Sequence, residues 1–217
     1  MTSHKEDYLK AIYELSEGTS WVTNSALAQR LAVSNSSVSE MVPKLCSMGW
    51  VTYRPYHGVA LTPAGKATCE ALMRNSRLWE VFLTQTLGLG WRTAYEQAHL
   101  LEHATSAEVA DALDRFLGFP QTCPHGNPIP RGGEGQIAAL VPLAVMERGQ
   151  GGTVRRIEED LQLLDYLQAL GLKLGEDIVV LSKGELEGPL LVAQGEHEMM
   201  LSFRAARGVY LERKDEE

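Results

Sequence analysis

The chain has 217 residues, of which 44% are hydrophobic, and a formal net charge of −8. That length allows one large domain or two to three small ones. No apolar run reaches the roughly 18 residues of a membrane-spanning helix, and the charged N-terminus does not have the pattern of a secretory signal. Three scattered cysteines, Cys46, Cys69 and Cys123, exclude a disulfide framework, so we expect a cytoplasmic protein.

Residues 1–63 predict a winged helix-turn-helix domain. Apolar residues at helical spacing indicate a first helix over residues 8–15, a second helix capped by Thr23, and a third over residues 38–45 that is the candidate DNA-reading helix. The residues on either side of His57-Gly58 alternate between apolar and polar, which predicts a β-hairpin. Helices followed directly by a hairpin are typical of the winged helix.

The third helix and the hairpin supply the candidate DNA-binding residues, because short polar and basic side chains suit phosphates and base edges. These candidates are Arg30, Ser34, Asn35, Ser36, Ser37, Ser39, Glu40, Lys44, Arg54 and His57. The serines also suit turns and helix caps, so both interpretations stay open. Pro43 predicts a kink in the third helix. Residues 1–66 carry only six Lys or Arg, so we expect modest electrostatic attraction to DNA.

Residues 64–140 predict a helical dimerisation domain. A long helical pattern from residue 64 to about 86 is followed by two shorter ones, over about 94–103 and 105–118, with no strand pattern between them. The Pro- and Gly-rich segment 119–135 predicts an ordered loop or a linker. Residues 149–217 contain four short strand patterns and one helix, which predict a small SH3-like barrel. The fold class is therefore mainly α with a small β component.

The segment His99-Leu100-Leu101-Glu102-His103 puts two imidazoles and a carboxylate on one helical face, where they can bind one cation. The same H-x-x-E-H spacing occurs in inverzincin zinc metalloproteases, in which the glutamate is the general base. A third interpretation is a metal-independent DNA-binding module with incidental histidines. This motif alone does not decide among the three.

Other candidate ligands are dispersed along the chain. Asp7 lies on the first helix and Glu80 on the long helix, and each alone is compatible with a solvated surface charge. Cys123 and His125 flank a proline in the rigid loop, although a buried cysteine needs no ligand role.

Five segments in this order, EDYLKAIYEL, NSSVSEMV, LTPAGK, HLLEH and CPHGNPIP, resemble the iron- and manganese-dependent DtxR/MntR repressors over nearly the whole chain. The resemblance implies a homodimer that binds double-stranded operator DNA when a metal is bound and that represses metal-uptake genes. It implies no enzymatic activity. The C-terminal segment resembles the SH3-like FeoA domain of the same family.

The resemblance also implies two metal sites. A primary site would correspond to Asp7, His99, Glu102 and His103, and a second site to Glu80, Cys123, His125 and Asp160. Ser76 and Tyr95 stand where many relatives carry histidine ligands, and Lys10 stands where short manganese members carry a glutamate. Neither the ancillary site of the diphtheria type nor a binuclear site is therefore expected.

The ligand types favour Mn(II), with Fe(II) as the alternative, and Zn(II) is expected to bind in vitro. A cation that joins Asp7 to the other primary ligands would bridge the winged helix and the helical domain. It would thereby set the separation of the two DNA-reading helices in a dimer.

Overall fold

The computed structural model describes residues 3–16, 21–131 and 139–213. The chain divides into two compact units that are interleaved along the sequence. Unit 1 comprises Met1–Ser76, His99–Asp111 and Pro130–Gly133, and unit 2 comprises Arg77–Ala98, Ala112–Ile129 and Glu134–Glu217.

Unit 1 contains the predicted winged helix. Its elements are α1 (Ser3–Leu15), α2 (Asn24–Arg30), α3 (Asn35–Ser47), β1 (Val51–Arg54), β2 (Gly58–Leu61) and the first part of α4 (Pro63–Val81). The apolar faces of the three helices and the hairpin form one core, in which Leu9, Ile12, Leu27 and Leu45 are fully buried. Burial of these side chains, at roughly 1.5–3 kcal/mol each, stabilises the helix-turn-helix arrangement.

The wing is tied to the segment before α2. Strands β1 and β2 pair antiparallel, and Val22 and Val59 exchange two backbone hydrogen bonds of 2.9 and 2.8 Å. Gly58 has a φ of +103°, and a Cβ there would lie 2.0 Å from the carbonyl oxygen of Val22. Only glycine fits this close approach.

Helix α3 continues through Pro43 as one element, and the kink predicted there stays a prediction. The proline removes one backbone donor and leaves the carbonyl of Ser39 without its helical partner. Pro43 and Ser39 lie on an exposed stretch of the helix, where water can solvate that carbonyl. The helix therefore tolerates the proline.

The middle of the chain is helical, as predicted. Helix α4 ends in a π-helical turn at Phe82–Thr86, and α5 (Trp91–Glu102) and α6 (Ala107–Phe116) follow. Each of these three helices contributes residues to both units. None of the helices in the described residues is long and apolar enough to cross a membrane.

Unit 2 contains the C-terminal sheet domain. Its elements are β3 (Val141–Pro142), β4 (Gly151–Ile157), α7 (Leu161–Ala169), β5 (Asp177–Lys183), β6 (Leu190–Gln194), β7 (His197–Leu201), α8 (Phe203–Arg207) and β8 (Val209–Arg213). The six strands pair antiparallel in the order β3-β8-β4-β5-β6-β7 around a core that includes Ile157, Leu164 and Leu190. The sequence predicted the small barrel, but β3 and β8 were missed.

The described part of the Pro- and Gly-rich segment is an ordered loop. Thr122 and Pro128 form a β-bridge across it, and the backbone N–H of Ile157 in β4 donates to the carbonyl of His125 at 2.8 Å. Gly126 has a φ of +82°, and a Cβ there would lie 1.8 Å from the carbonyl oxygen of Arg155. The rest of the predicted loop, residues 132–135, lies outside the described residues.

Candidate metal centres and DNA-binding surface

Unit 1 brings four of the predicted ligands together. Asp7 of α1, His99 and Glu102 of α5, and His103 each offer one ligand atom, and these atoms lie within 4.8 Å of one another. We call this group the first cluster. The i, i+3 and i+4 spacing puts His99, Glu102 and His103 on one helical face. Asp7 of α1 supplies the fourth ligand atom.

The geometry of the first cluster fits a cation. Asp7 Oδ1 lies 3.3 Å from His103 Nε2 and 3.7 Å from His99 Nε2. Both Asp7 Oδ1 and His103 Nε2 are buried without a hydrogen-bond partner among the described residues. Buried polar atoms are normally paired, so two orphans facing each other indicate a missing ligand. Two imidazoles and two carboxylates suit Mn(II), Fe(II) and Zn(II).

Glu102 is the most strongly held residue of the first cluster. It is 1% exposed, and the ammonium of Lys10 donates to both of its carboxylate oxygens at 2.9 Å. Burial raises the pKa of Glu102, but hydrogen bonds from His99 and Lys10 outweigh burial and leave the pKa below its usual value. The hydrogen bond to Glu102, 3.1 Å long, raises the pKa of His99.

Unit 2 brings together a second group of ligand types. Glu80 of α4, Cys123 and His125 of the ordered loop, and Glu159 after β4 offer ligand atoms within 4.8 Å of one another. We call this group the second cluster. His125 Nδ1 lies 3.2 Å from Glu80 Oε2, and the backbone N–H of His125 donates to Cys123 Sγ at 3.4 Å.

The second cluster also fits a cation. Glu80 Oε2 and His125 Nε2 are buried without a hydrogen-bond partner in the described part of the chain. The pKa of Cys123 is raised well above its usual value because the thiol is buried and lies near the carboxylates of Glu80 and Glu159. A metal that binds Cys123 must therefore displace the thiol proton.

Asp160, which the sequence assigned to the second site, has a different place in the structure. Its carboxylate caps α7 by accepting a hydrogen bond from the backbone N–H of Leu163 at 2.9 Å. The neighbouring Glu159 joins the second cluster and accepts a hydrogen bond from Asn127 Nδ2 at 2.9 Å. The family resemblance implied Asp160, and its role as a ligand stays a prediction.

The candidate DNA-binding residues are all exposed, on or beside α2, α3 and the wing. Part of the serine cluster has the capping role that the sequence left open. Ser34 caps α3 by accepting a hydrogen bond from the N–H of Ser37, and Ser39 donates to the carbonyl of Asn35. The exposed side chains at the start of α3 remain available to DNA.

The basic candidates differ in how they are held. Arg30 forms an exposed ion pair of 2.6 Å with Glu14. The guanidinium of Arg54 lies over the ring of Trp21, 4.8 Å from its centroid. Stacking on an aromatic ring orients an arginine without neutralising its charge. The role of Trp21 is not visible in the sequence, because its contact with the wing is tertiary.

Three protein-family models match the chain in succession. The N-terminal DNA-binding domain of iron-dependent repressors matches residues 1–59, and their metal-binding and dimerisation domain matches residues 62–131. The FeoA domain matches residues 141–213. The fold and these matches define the class of metal-dependent transcriptional repressors.

Individual relatives agree with this class. The diphtheria toxin repressor of Corynebacterium jeikeium is 31% identical over 92% of this chain and 79% of its own. A manganese-dependent transcriptional repressor in complex with manganese is 34% identical, with a TM-score of 0.85 over 97% of this chain and 100% of that one. ScaR with bound Zn²⁺ is 33% identical, with a TM-score of 0.79 over 97% and 99%. The chain belongs to the DtxR/IdeR/MntR family of metal-dependent repressors.

Membership of this family excludes the metalloprotease interpretation, because its members are DNA-binding repressors and not enzymes. The structure gives a physical reason. The contacts with His99 and Lys10 hold the pKa of Glu102 below its usual value, which makes this carboxylate a weak general base.

Proposed function

We propose that the chain is a repressor that binds operator DNA as a homodimer when Mn(II) occupies the first cluster. One observation carries the proposal: Asp7 on α1 of the winged helix and the ligands on and beside α5 converge on one point. The two buried orphan atoms of this cluster support a cation there. Repression of metal-uptake genes is the role that the family resemblance implies.

Manganese is proposed on the chemistry of the ligands. Carboxylates and imidazoles favour Mn(II) or Fe(II), whose cellular availability then decides between them. The manganese complex of one structural relative supports Mn(II), and the iron-dependent family models make Fe(II) the alternative. Zn(II) is expected to bind in vitro because affinities of such sites rise toward zinc.

The proposed control of DNA binding acts through α1. A bound divalent cation supplies the positive charge that draws carboxylates and imidazoles to one point. Asp7 then holds α1 against the end of α5, and Leu9 and Ile12 of α1 share a core with α2 and α3. In a two-fold dimer the two α3 helices must match major grooves about 34 Å apart. Metal would favour the conformer that meets this spacing.

For the second cluster we propose a supporting ion held by Glu80, Cys123, His125 and Glu159. The two neighbouring acids can be separated by substitution. Glu159→Ala is expected to weaken metal-stimulated DNA binding partly, whereas Asp160→Ala should act mainly by removing the cap of α7, at a cost of about 1 kcal/mol. Calorimetric metal titration and thermal unfolding of both variants would distinguish the two effects.

DNA retention by chelator-stripped protein tests the proposed function. The protein is incubated with genomic promoter fragments and titrated with Mn(II), with Fe(II) under anoxia, and with Zn(II). We expect retention only with metal, and we expect Asp7→Ala and His103→Ala to abolish it.

An exposed residue of α1 provides a matched control, since His4→Ala should bind DNA as the unaltered protein does. Equal binding with and without metal would support the metal-independent interpretation. Wild-type behaviour of both cluster variants would contradict the bridging role of the cation.

A further inference from the structure

His103 has a third carboxylate contact, through Nδ1, besides those of its Nε2 with Asp7 and Glu102. Its Nδ1 lies 2.6 Å from Glu6 Oε2, and the two side chains are only 12% and 16% exposed. A carboxylate at this distance can only accept, so the ring must donate from Nδ1. In the neutral ring the lone pair then lies on Nε2, the atom that is buried without a partner in the first cluster.

We infer that Glu6 is a positioning residue, which fixes the ring of His103 and its proton at Nδ1 so that Nε2 is preset to bind the cation. This inference rests on the proposed function, because it concerns the cation of the first cluster. Metal-binding histidines commonly donate their other N–H to a carboxylate, which orients the ring and increases the basicity of the ligand nitrogen. Without Glu6, the ring has a second tautomer and other rotamers available.

Glu6 and Asp7 are adjacent in α1, and both reach residues beyond α1 in unit 1. Asp7 faces Nε2 of His103, and Glu6 faces Nδ1 of the same ring. The ring is therefore held between two carboxylates of one helix turn. In this arrangement α1 contacts His103 even without metal. The side chain of His103 therefore loses less conformational freedom when the cation binds.

A simpler role for Glu6 is an acidic residue in the first turn of α1, where it would stabilise the helix dipole. Three substitutions separate the two roles. Glu6→Asp keeps the charge but shortens the reach, so it preserves the dipole interaction and loses the contact with His103. Glu6→Gln keeps an acceptor oxygen at the same reach and loses the charge. Glu6→Ala removes both.

The first measurement is Mn(II) affinity of the full chain by competition with a chelator. Removal of an outer partner of a metal ligand typically costs 10- to 100-fold in affinity. We expect about that loss for Glu6→Ala, a loss of about tenfold for Glu6→Asp, and a smaller loss for Glu6→Gln. Glu14→Gln removes one negative charge from α1 two turns further on and is expected to leave the affinity unchanged.

The second measurement needs no metal. Nitrogen-15 spectra of histidine-labelled, metal-free protein at about pH 8 report which ring nitrogen carries the proton, since an unperturbed imidazole is neutral there. The His103 signals are assigned by their loss in His103→Gln. We expect the Nδ1–H tautomer in the unaltered protein, a weaker preference for it in Glu6→Gln, whose amide can accept from Nδ1 or donate to it, and a mixture in Glu6→Ala.

Two results would overturn the positioning role: Mn(II) affinity of Glu6→Ala within twofold of the unaltered protein, or an unchanged His103 tautomer in that variant. If Glu6→Ala does not fold, the comparison of Glu6→Asp with Glu6→Gln decides the matter, because a dipole role alone predicts the opposite order of affinities. The result that would contradict the proposed function differs from the two that would contradict the positioning role of Glu6. In that case metal fails to stimulate DNA binding while Glu6 still fixes the tautomer.

Discussion

At the scale of single residues, the ammonium of Lys10 places a positive charge beside the first cluster. Its ammonium lies 2.9 Å from both oxygens of the buried Glu102. Ser76 hydrogen-bonds the same carboxylate. These contacts satisfy Glu102 without a second divalent ion, which supports a first cluster that holds one metal.

Lys10→Met should therefore destabilise the metal-free protein. Breaking a buried ion pair leaves a carboxylate uncompensated, and we expect the free energy of unfolding to fall by about 3 kcal/mol. Mn(II) should restore part of this loss by binding the freed charge. Urea unfolding with chelator and with Mn(II) measures both effects.

Lys66→Met is the matched control for this substitution. Lys66 forms an exposed pair of 3.8 Å with Glu70, so its loss should change stability by less than about 0.5 kcal/mol. Equal stability of Lys10→Met and the unaltered protein would contradict a structural role for the Lys10–Glu102 pair.

The pH dependence of metal binding follows from His99. Its hydrogen bond to Glu102 raises the pKa of the imidazole, so a proton competes with the cation at higher pH than for an unperturbed histidine. Mn(II) affinity should fall as the pH is lowered from about 8 to about 6. Calorimetric titration across this range measures the fall, and His99→Gln should make it shallower. An unchanged slope in His99→Gln would be evidence against His99 as a ligand.

In the metal-free protein, the contribution of His99 to the stability of the fold should change with pH in the opposite direction to Mn(II) affinity. A raised pKa means that protonated His99 stabilises the fold at low pH. This contribution is complete below the unfolded pKa and is lost as the pH rises through the folded one.

The three cysteines should differ in reactivity. Burial raises the pKa of Cys69 to about 12 and that of Cys123 well above its usual value, while Cys46 is partly exposed. Because the thiolate is the reactive form, iodoacetamide should modify Cys46 first in the folded protein and all three in denaturant. Mass spectrometry of the peptides measures the order, and equal labelling of Cys123 and Cys46 would contradict the burial of the second cluster.

At the scale of elements, the ordered loop depends on its contact with β4. A Cβ on Gly126 would collide with the carbonyl of Arg155, and the backbone is also left-handed there. Gly126→Ala should therefore displace Cys123 and His125 and lower the metal affinity of the second cluster at least tenfold, while the first cluster keeps its affinity. Calorimetric titration with Zn(II) can resolve the two sites.

The variant Gly149→Ala tests the effect of backbone strain without the collision that a Cβ at Gly126 would cause. Gly149 has the same φ of +82° and lies in the same unit, but a Cβ there would meet no atom within 4 Å. It should cost about 1 kcal/mol of stability and leave both sites intact. If Gly126→Ala and Gly149→Ala bound metal similarly, the contact of the loop with β4 would not be what positions the ligands of the second cluster.

The elements that could be predicted from the sequence are those whose own residues show the pattern of a helix or a strand. Periodic apolar residues and the capping residue Thr23 marked the helices of the winged helix. Strand β3 was missed because it has only two residues, and β8 because it is defined by pairing with β3 and β4, far away in sequence. Strand pairing at such separation leaves little trace in local patterning.

The same distinction applies to the ligands. Helical spacing predicted that His99, Glu102 and His103 share one face, whereas the place of Glu159 in the second cluster depends on how β4, α7 and the loop meet in unit 2. The contacts of Glu6 and Lys10 are also tertiary, since each joins α1 to residues more than ninety positions away. No spacing rule within one element could indicate them.

At the scale of the whole molecule, the family and the fold class predicted from the sequence are confirmed. The domain boundaries at 1–63, 64–140 and 149–217 stay predictions. The matched models divide the chain at similar positions, whereas the two compact units take residues from each of the middle helices. All ligands of the first cluster lie in unit 1, together with the wing and α3, so the predicted coupling can be tested within one unit.

The central claim is that the cation of the first cluster and operator DNA favour the same conformation. Thermodynamic linkage requires that DNA tighten Mn(II) binding by the same factor by which Mn(II) tightens DNA binding, typically about 5- to 150-fold. The most direct test is an electron paramagnetic resonance titration of free Mn(II) with the protein, alone and with a saturating DNA fragment selected by retention. We predict tighter Mn(II) binding with the fragment and no such change in Asp7→Ala. Equal Mn(II) affinity with and without DNA in the unaltered protein would contradict the account.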